Sequence, residues 1–161
     1  REVMPTDTDN LAFATQTTLS VDDTAEIIAV LRERFPDIKG PRSEDICYAT
    51  TNRQQAVKEI AGKTDLVLVI GAENSSNSKR LVEVAERFGA TQARLIANAD
   101  AIAWPLVEGA ETIGVTAGAS APEELVEDVV AAIAGRYHVS IDRHVSATES
   151  VIFNIPSVLR S

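Results

Sequence analysis

Asp65 is followed by an unbroken apolar run, Leu66-Val67-Leu68-Val69-Ile70. A short run of branched residues without alternation reads as a strand buried on both faces, as in parallel sheets. From Lys79 to Phe88, Leu81, Val84, Ala85 and Phe88 recur at helical spacing. Between them lies Gly71-Ala72-Glu73-Asn74-Ser75-Ser76-Asn77-Ser78, a turn carrying three hydroxyls and two carboxamides within eight residues. Strand, polar turn and helix start in that order gather free backbone N–H groups and polar side chains around one point. α/β proteins hold anions, often phosphates, in this way. The plain reading is a polar loop with an ordinary serine N-cap.

The pattern elsewhere is consistent with layered α/β structure. Leu11-Ala12-Phe13-Ala14-Thr15 reads as a short strand and Gln16 to Ser20 as a turn. Ser20, with Asp23 three residues on, predicts an N-cap and a helix from Val21 to Arg34. Ile27, Val30 and Leu31 are its expected core face, and Phe35-Pro36 ends it. Asp37 to Arg42 is a linker candidate. Ile46 to Ala49 reads as a strand end or a loop, and Thr51-Asn52 opens a helix over 53–61, closed by Gly62. Gly89 occupies a C′ position. Strands follow at 93–97 and 112–116, with a short helix over 100–107 interrupted at Trp104-Pro105. Ala117-Gly118-Ala119-Ser120 is a small-residue turn, and Pro122 suits the first position of a helix running to Ala134 and Gly135. Short loops between alternating strands and helices mean parallel strands with right-handed crossovers. The tail from Arg136, with Val139, Ile141 and Val151-Ile152-Phe153, reads as one or two extended segments packed on something else.

Composition narrows the classes. With 161 residues and 45% hydrophobic content the chain can bury a core, and at 4% aromatics Ala, Val, Ile and Leu must fill it. A net charge of −9 argues against a general nucleic-acid binder. No stretch of 18 apolar residues exists, so no membrane span is expected. No signal peptide is visible and the first residue is Arg1, so the chain reads as an internal piece, either of a longer gene product or of a processed one. The single cysteine, Cys47, excludes an internal disulfide, and a reducing cytoplasm is the simplest context.

Three strand-to-helix turns are rich in hydroxyls: Thr15–Ser20, Gly71–Ser78 and Thr116–Ser120. In an open parallel sheet such turns lie at the carboxyl ends of strands, where ligands bind. Cys47 reads either as a buried small hydrophobe or as a metal or cluster ligand at a helix N-terminus. His138 and His144 lack metal-ligand spacing and read as solvated or locally hydrogen-bonded. Asp22, Asp23, Glu123 and Glu124 read as helix-start carboxylates. Trp104 reads as core or interface. Lys79-Arg80 is either a charge near a phosphate or a solvated face. There is no Ser/His/Asp arrangement, and the Gly71 turn lacks the lysine and glycines of a P-loop.

Four segments then resemble one family in the same order: Thr15-Gln16-Thr17-Thr18-Leu19-Ser20, Cys47-Tyr48-Ala49-Thr50-Thr51-Asn52-Arg53-Gln54, Asn74-Ser75-Ser76-Asn77-Ser78, and Val115-Thr116-Ala117-Gly118-Ala119-Ser120-Ala121-Pro122. They resemble the LytB family, the hydroxymethylbutenyl diphosphate reductases of the methylerythritol phosphate route to isoprenoids. The resemblance implies an α/β fold of repeated small units, with parallel sheets and helices on both faces, around a central iron–sulfur cluster. It makes residues 1–45 the end of a second unit, 46–134 a third unit, and 135–161 a tail packing toward a missing first unit. It implies a 4Fe-4S cluster held by three cysteines, of which Cys47 matches the third. Ser75, Ser76, Asn77 and Ser120 match diphosphate-binding positions, with helix starts at Ser76 and Ser120 supplying N–H donors. Thr17 matches a catalytic threonine near the substrate hydroxyl, and Gln16 and Thr50 match lining positions. Ferredoxin or flavodoxin is the implied electron donor, and the cytoplasm the implied location. The family's other two cysteines, its pocket histidines and its His-Pro-Glu segment are absent here and belong to the implied missing N-terminal segment. The isolated chain is therefore expected to be inactive. Two alternatives are a phosphate-binding α/β module without redox chemistry and a folding fragment without activity.

Overall fold

The structure, a computed structural model, describes residues 4–41 and 45–146. The elements run α1 (Val21–Arg34), α2 (Tyr48–Ala61), β1 (Leu66–Ile70), α3 (Ser76–Arg87), β2 (Gln92–Ile96), α4 (Trp104–Glu108), β3 (Ile113–Ala117) and α5 (Glu123–Ala134), with a 3-10 turn at Ala99–Ala101. The strands form one parallel sheet in the order β2-β1-β3, with Leu66 opposite both Gln92 and Ile113. The fold class is α/β, as expected.

The unbroken apolar run is explained by cover on both faces. Val67 and Val69 pack with Val57 and Ala61 of α2 and with Leu81, Val84 and Ala85 of α3. Leu66, Leu68 and Ile70 pack on the opposite face with Ile102, Val107 of α4, and Val129 and Ile133 of α5. All five residues of β1 are buried, and each such side chain stabilises the fold by roughly 1.5–3 kcal/mol relative to exposure. Asp65 sets the strand entry: its Oδ2 accepts from the Glu111 and Thr112 N–H groups at 3.0 and 2.9 Å. Gly89 closes α3 at φ +108°, a left-handed conformation that favours glycine.

Several expectations are corrected. The strand at 11–15 shrinks to one parallel bridge, Ala12 to Lys39, with Phe13 N–H donating to the Lys39 carbonyl at 2.9 Å. Pro41 lies two residues past Lys39 and has no N–H to extend that pairing. α2 begins at Tyr48, five residues earlier than expected, because Thr50, Gln54, Val57 and Ala61 form a buried helical stripe. α5 begins at Glu123, with Pro122 as cap rather than first helical residue. α1 has the expected bounds, yet Ile27 and Val30 are 60% and 61% exposed, and Thr24 is its buried residue. Trp104 opens α4 and is partly buried, with the Arg136 guanidinium 3.8 Å from its ring centre. Val139 and Ile141 are exposed, and Val151-Ile152-Phe153 lies outside the described residues.

α1 is fastened to the sheet-bearing part by polar groups. The Gln54 Nε2 donates to the Leu19 carbonyl at 2.9 Å, and its Oε1 accepts from the Val21 N–H at 3.0 Å. Lys58 pairs with Asp22 at 2.6 Å, while Arg87 pairs with Asp23 and, at 3.4 Å, with Glu26. The helix-start carboxylates thus also tie α1 to α2 and α3.

Candidate functional site

The carboxyl ends of β1 and β3 lie side by side. Gly118 N–H donates to the Ile70 carbonyl at 2.9 Å, and Gly71 N–H to the Ile96 carbonyl at 2.9 Å. Each strand leads into a polar turn, and the two turns meet over the first turn of α3. A cavity of about 400 Å³ opens there. One wall is Ser75, Ser76 and Asn77, a second is Ala119 and Ser120, and a third is Thr17, Thr18, Cys47 and Thr50. The three hydroxyl-rich turns therefore do converge on one site.

Each wall has a local cause. Ser75 caps α3, its Oγ accepting from the Ser78 N–H at 3.2 Å. Asn77 and Ser78 sit in the first turn and are buried, at 7% and 1% exposure. Both glycines of the flanking turns permit this. A Cβ on Gly71 would lie 2.2 Å from the Ser78 Oγ, and one on Gly118 would lie 2.3 Å from it. The Thr17 wall is held through Cys47, whose N–H donates to the Thr17 carbonyl at 3.2 Å. Cys47 caps α2 through its carbonyl, which accepts from Thr50 and Thr51 N–H groups at 2.8 and 3.0 Å. Its side chain makes no capping hydrogen bond and is exposed, so the reading of a buried small hydrophobe is overturned.

The electrostatics are unusual for a protein carrying −9. Among the described residues that line the cavity there is no lysine, arginine or histidine. Positive character comes instead from the amino ends of α2 and α3, capped by Cys47 and Ser75. The Asn77 carboxamide is buried with neither its nitrogen nor its oxygen hydrogen-bonded among the described residues. Leaving such a group unmet costs about 1–3 kcal/mol.

Of the residues singled out from the sequence, Thr17, Cys47, Thr50, Ser75, Ser76, Asn77 and Ser120 line the cavity. Gln16 does not; its carbonyl accepts the Leu19 N–H, closing the turn beneath. Ser120 lies two residues before the α5 cap, so it contributes a hydroxyl rather than a helix start. Arg80 pairs with Asp23 at 3.7 Å and with Glu83, and it does not line the cavity. Thr18 and Ala119 line the cavity as well, and their position inside the same two turns was the signal for them. His144 pairs with Glu59 at 2.6 Å near the far end of α2, and His138 is exposed. Among the described residues no group of three or more His, Cys, Asp or Glu is placed to hold a metal. Cys47 fits a single thiolate ligand: exposed, at a helix N-terminus and on the cavity wall.

A family model described as LytB protein matches residues 1–134. The chain is 57% identical over 159 residues to 4-hydroxy-3-methylbut-2-enyl diphosphate reductase of Gluconobacter oxydans, covering 99% of this chain and 47% of that protein. It is 58% identical over 158 residues to the same-named protein of Paracoccus denitrificans, covering 98% and 50%. Among solved structures, E-1-hydroxy-2-methyl-but-2-enyl-4-diphosphate reductase from Plasmodium falciparum matches with a TM-score of 0.75 at 36% identity, over 80% of this chain and 40% of that one. The chain spans about half the length of the curated relatives it matches.

Proposed function

We propose, from the premise that this chain belongs to the LytB family, that it supplies part of a 4-hydroxy-3-methylbut-2-enyl diphosphate reductase and binds the substrate's diphosphate in the cavity. The supporting observation is Asn77, a buried, unmet carboxamide in the first turn of α3, which lines the same cavity as Ser75 and Ser120. A diphosphate satisfies that set: hydroxyls and the Asn77 Nδ2 donate to its oxygens, and the helix ends offset its charge without a buried cation. Ser76 adds a further hydroxyl at the open side. Thr17, on the facing wall, is our candidate for the catalytic residue that hydrogen-bonds the substrate hydroxyl during its reductive removal. Thr50 lines the space between them, and Gln16 supports the turn from below.

Cys47 would hold one iron of a 4Fe-4S cluster beside that wall. Such a cluster, when bound, supplies the electrons for breaking the carbon–oxygen bond. The chain has one cysteine, so the remaining ligands come from outside it. In this reading residues 1–45 close a second unit, 46–134 form a third, and 135–161 reach toward another part of the enzyme. Ferredoxin or flavodoxin in the cytoplasm would feed electrons. For the 161-residue chain alone the single thiolate favours phosphate binding without turnover.

The test introduces a negative charge at constant size. Asn77→Asp puts a carboxylate where the anion is to sit. Pyrophosphate binding by this chain, followed by calorimetry, should weaken at least about tenfold through like-charge repulsion in a partly buried site. Unchanged affinity would remove the diphosphate assignment.

A further inference from the structure

We infer that Ser78, which does not line the cavity, is a positioning residue that turns Ser75 into a committed hydrogen-bond donor. This rests on the reading of the cavity as an anion site. The Ser78 side chain is buried at 1% exposure, pressed between Gly71 and Gly118. Its Oγ lies 3.0 Å from the Ser75 Oγ, and its N–H lies 3.2 Å from the same atom. Among the described residues the Ser75 oxygen is the one acceptor recorded for the Ser78 hydroxyl proton. Water does not reach that hydroxyl, so the direction follows: Ser78 donates and Ser75 accepts.

The consequence falls on Ser75. A serine oxygen has two lone pairs and one proton. Both lone pairs are occupied from one side, by the N–H and the O–H of Ser78. The Ser75 proton is what remains, and the open direction is the cavity. Ser75 thus offers a donor to an incoming oxygen anion and has no lone pair for a metal ion or a ligand N–H. The independent sign that something is bound there is Asn77, 93% buried on the same turn with its carboxamide unmet (7% exposed). Gly71 and Gly118 belong to the device, because a methyl group on either would displace the Ser78 hydroxyl. The two strand ends therefore select the proton direction of a residue neither of them contains.

A double-mutant cycle on the 161-residue chain tests this, with inorganic pyrophosphate as the calorimetric probe. Ser75→Ala and Ser78→Ala should each weaken binding about five- to tenfold, the scale of one hydrogen bond to a charged oxygen. The double variant should bind like Ser75→Ala alone, because Ser78 acts only through Ser75. Additive losses, or unchanged affinity in Ser78→Ala, would overturn the positioning role while leaving the anion site intact. Absence of binding to the parent chain would overturn both. Melting temperatures without ligand monitor the fold, and should Ser78→Ala fail to fold, the parent chain's Ser78 hydroxyl proton is read by NMR: slow exchange that Ser75→Ala abolishes supports the bond, and fast exchange in the parent overturns it.

Discussion

Asp23 shows how one side chain can serve an element and an interface together. It lies in the first turn of α1, where a carboxylate complements the helix end. The Arg87 guanidinium hydrogen-bonded to it, more than any other neighbour, holds its pKa below the usual carboxylate value. A carboxylate with a lowered folded pKa contributes stability above its unfolded pKa. That contribution fades as pH falls through the folded value. The pair is half-exposed, at 48% and 46%, so solvent screens it and its contribution is small. Asp23→Asn should lower the melting temperature by a few degrees at neutral pH, and the gap should close on acidification to about pH 2. A gap that stays constant to that pH would mean the pair is not the cause. Ser20 was legible as a cap from sequence because capping is a local interaction. The role of Gln54 was not: its two partners lie 33 and 35 residues away.

At the level of elements, legibility followed the amount of buried apolar surface. β1, β2, β3, α3 and α5 were readable within one or two residues of their ends, because branched runs and helical spacing are strong signals. The early start of α2 was not, because its buried stripe holds Thr50 and Gln54, whose burial depends on contacts distant in sequence. α1 was readable as a helix but not in its orientation. Periodicity reveals an apolar face without saying what covers it, and in the described residues Ile27 and Val30 face outward. Burial predicts a clear contrast between the two helices. Leu81→Ala, at 0% exposure in the α2–α3 layer, should cost about 2–5 kcal/mol in denaturant unfolding. Ile27→Ala, 60% exposed, should stay within about 0.5 kcal/mol of the parent. Equal losses would mean that α1 buries this face in solution.

The molecule as a whole joins a self-contained α/β layer to a helix that leans on it. β1 is covered on both faces, whereas α1 borders a second cavity of about 610 Å³ lined by Phe13, Val21, Ala25 and Ile28 among others. At the same scale, the candidate site is built from turns of the layer plus the segment leading into α1. Cys47 stands alone as a thiolate donor in the sequence. Anaerobic reconstitution of the isolated chain should therefore leave it well short of four irons per polypeptide. A stoichiometric cluster with the matching absorbance would refute the view that other ligands are required. The two turns that follow β1 and β3 were readable from the order of strands and helices, whereas the Thr15–Ser20 turn, which follows only a single bridge, joined the site through the family resemblance. The seat of Ser78 between two glycines was not, since it depends on how closely two strand ends approach.

One property of the candidate site reaches beyond structure. On the function proposed above, its attraction for anions would reside in peptide amides and hydroxyls, since the described residues lining it include no ammonium or guanidinium group. Amide dipoles do not titrate, so near neutrality the grip follows the ionisation of the guest, whose phosphate loses its last proton near pH 6. Acylation of lysines, a common means of silencing basic pockets, has no target among the described residues of these walls.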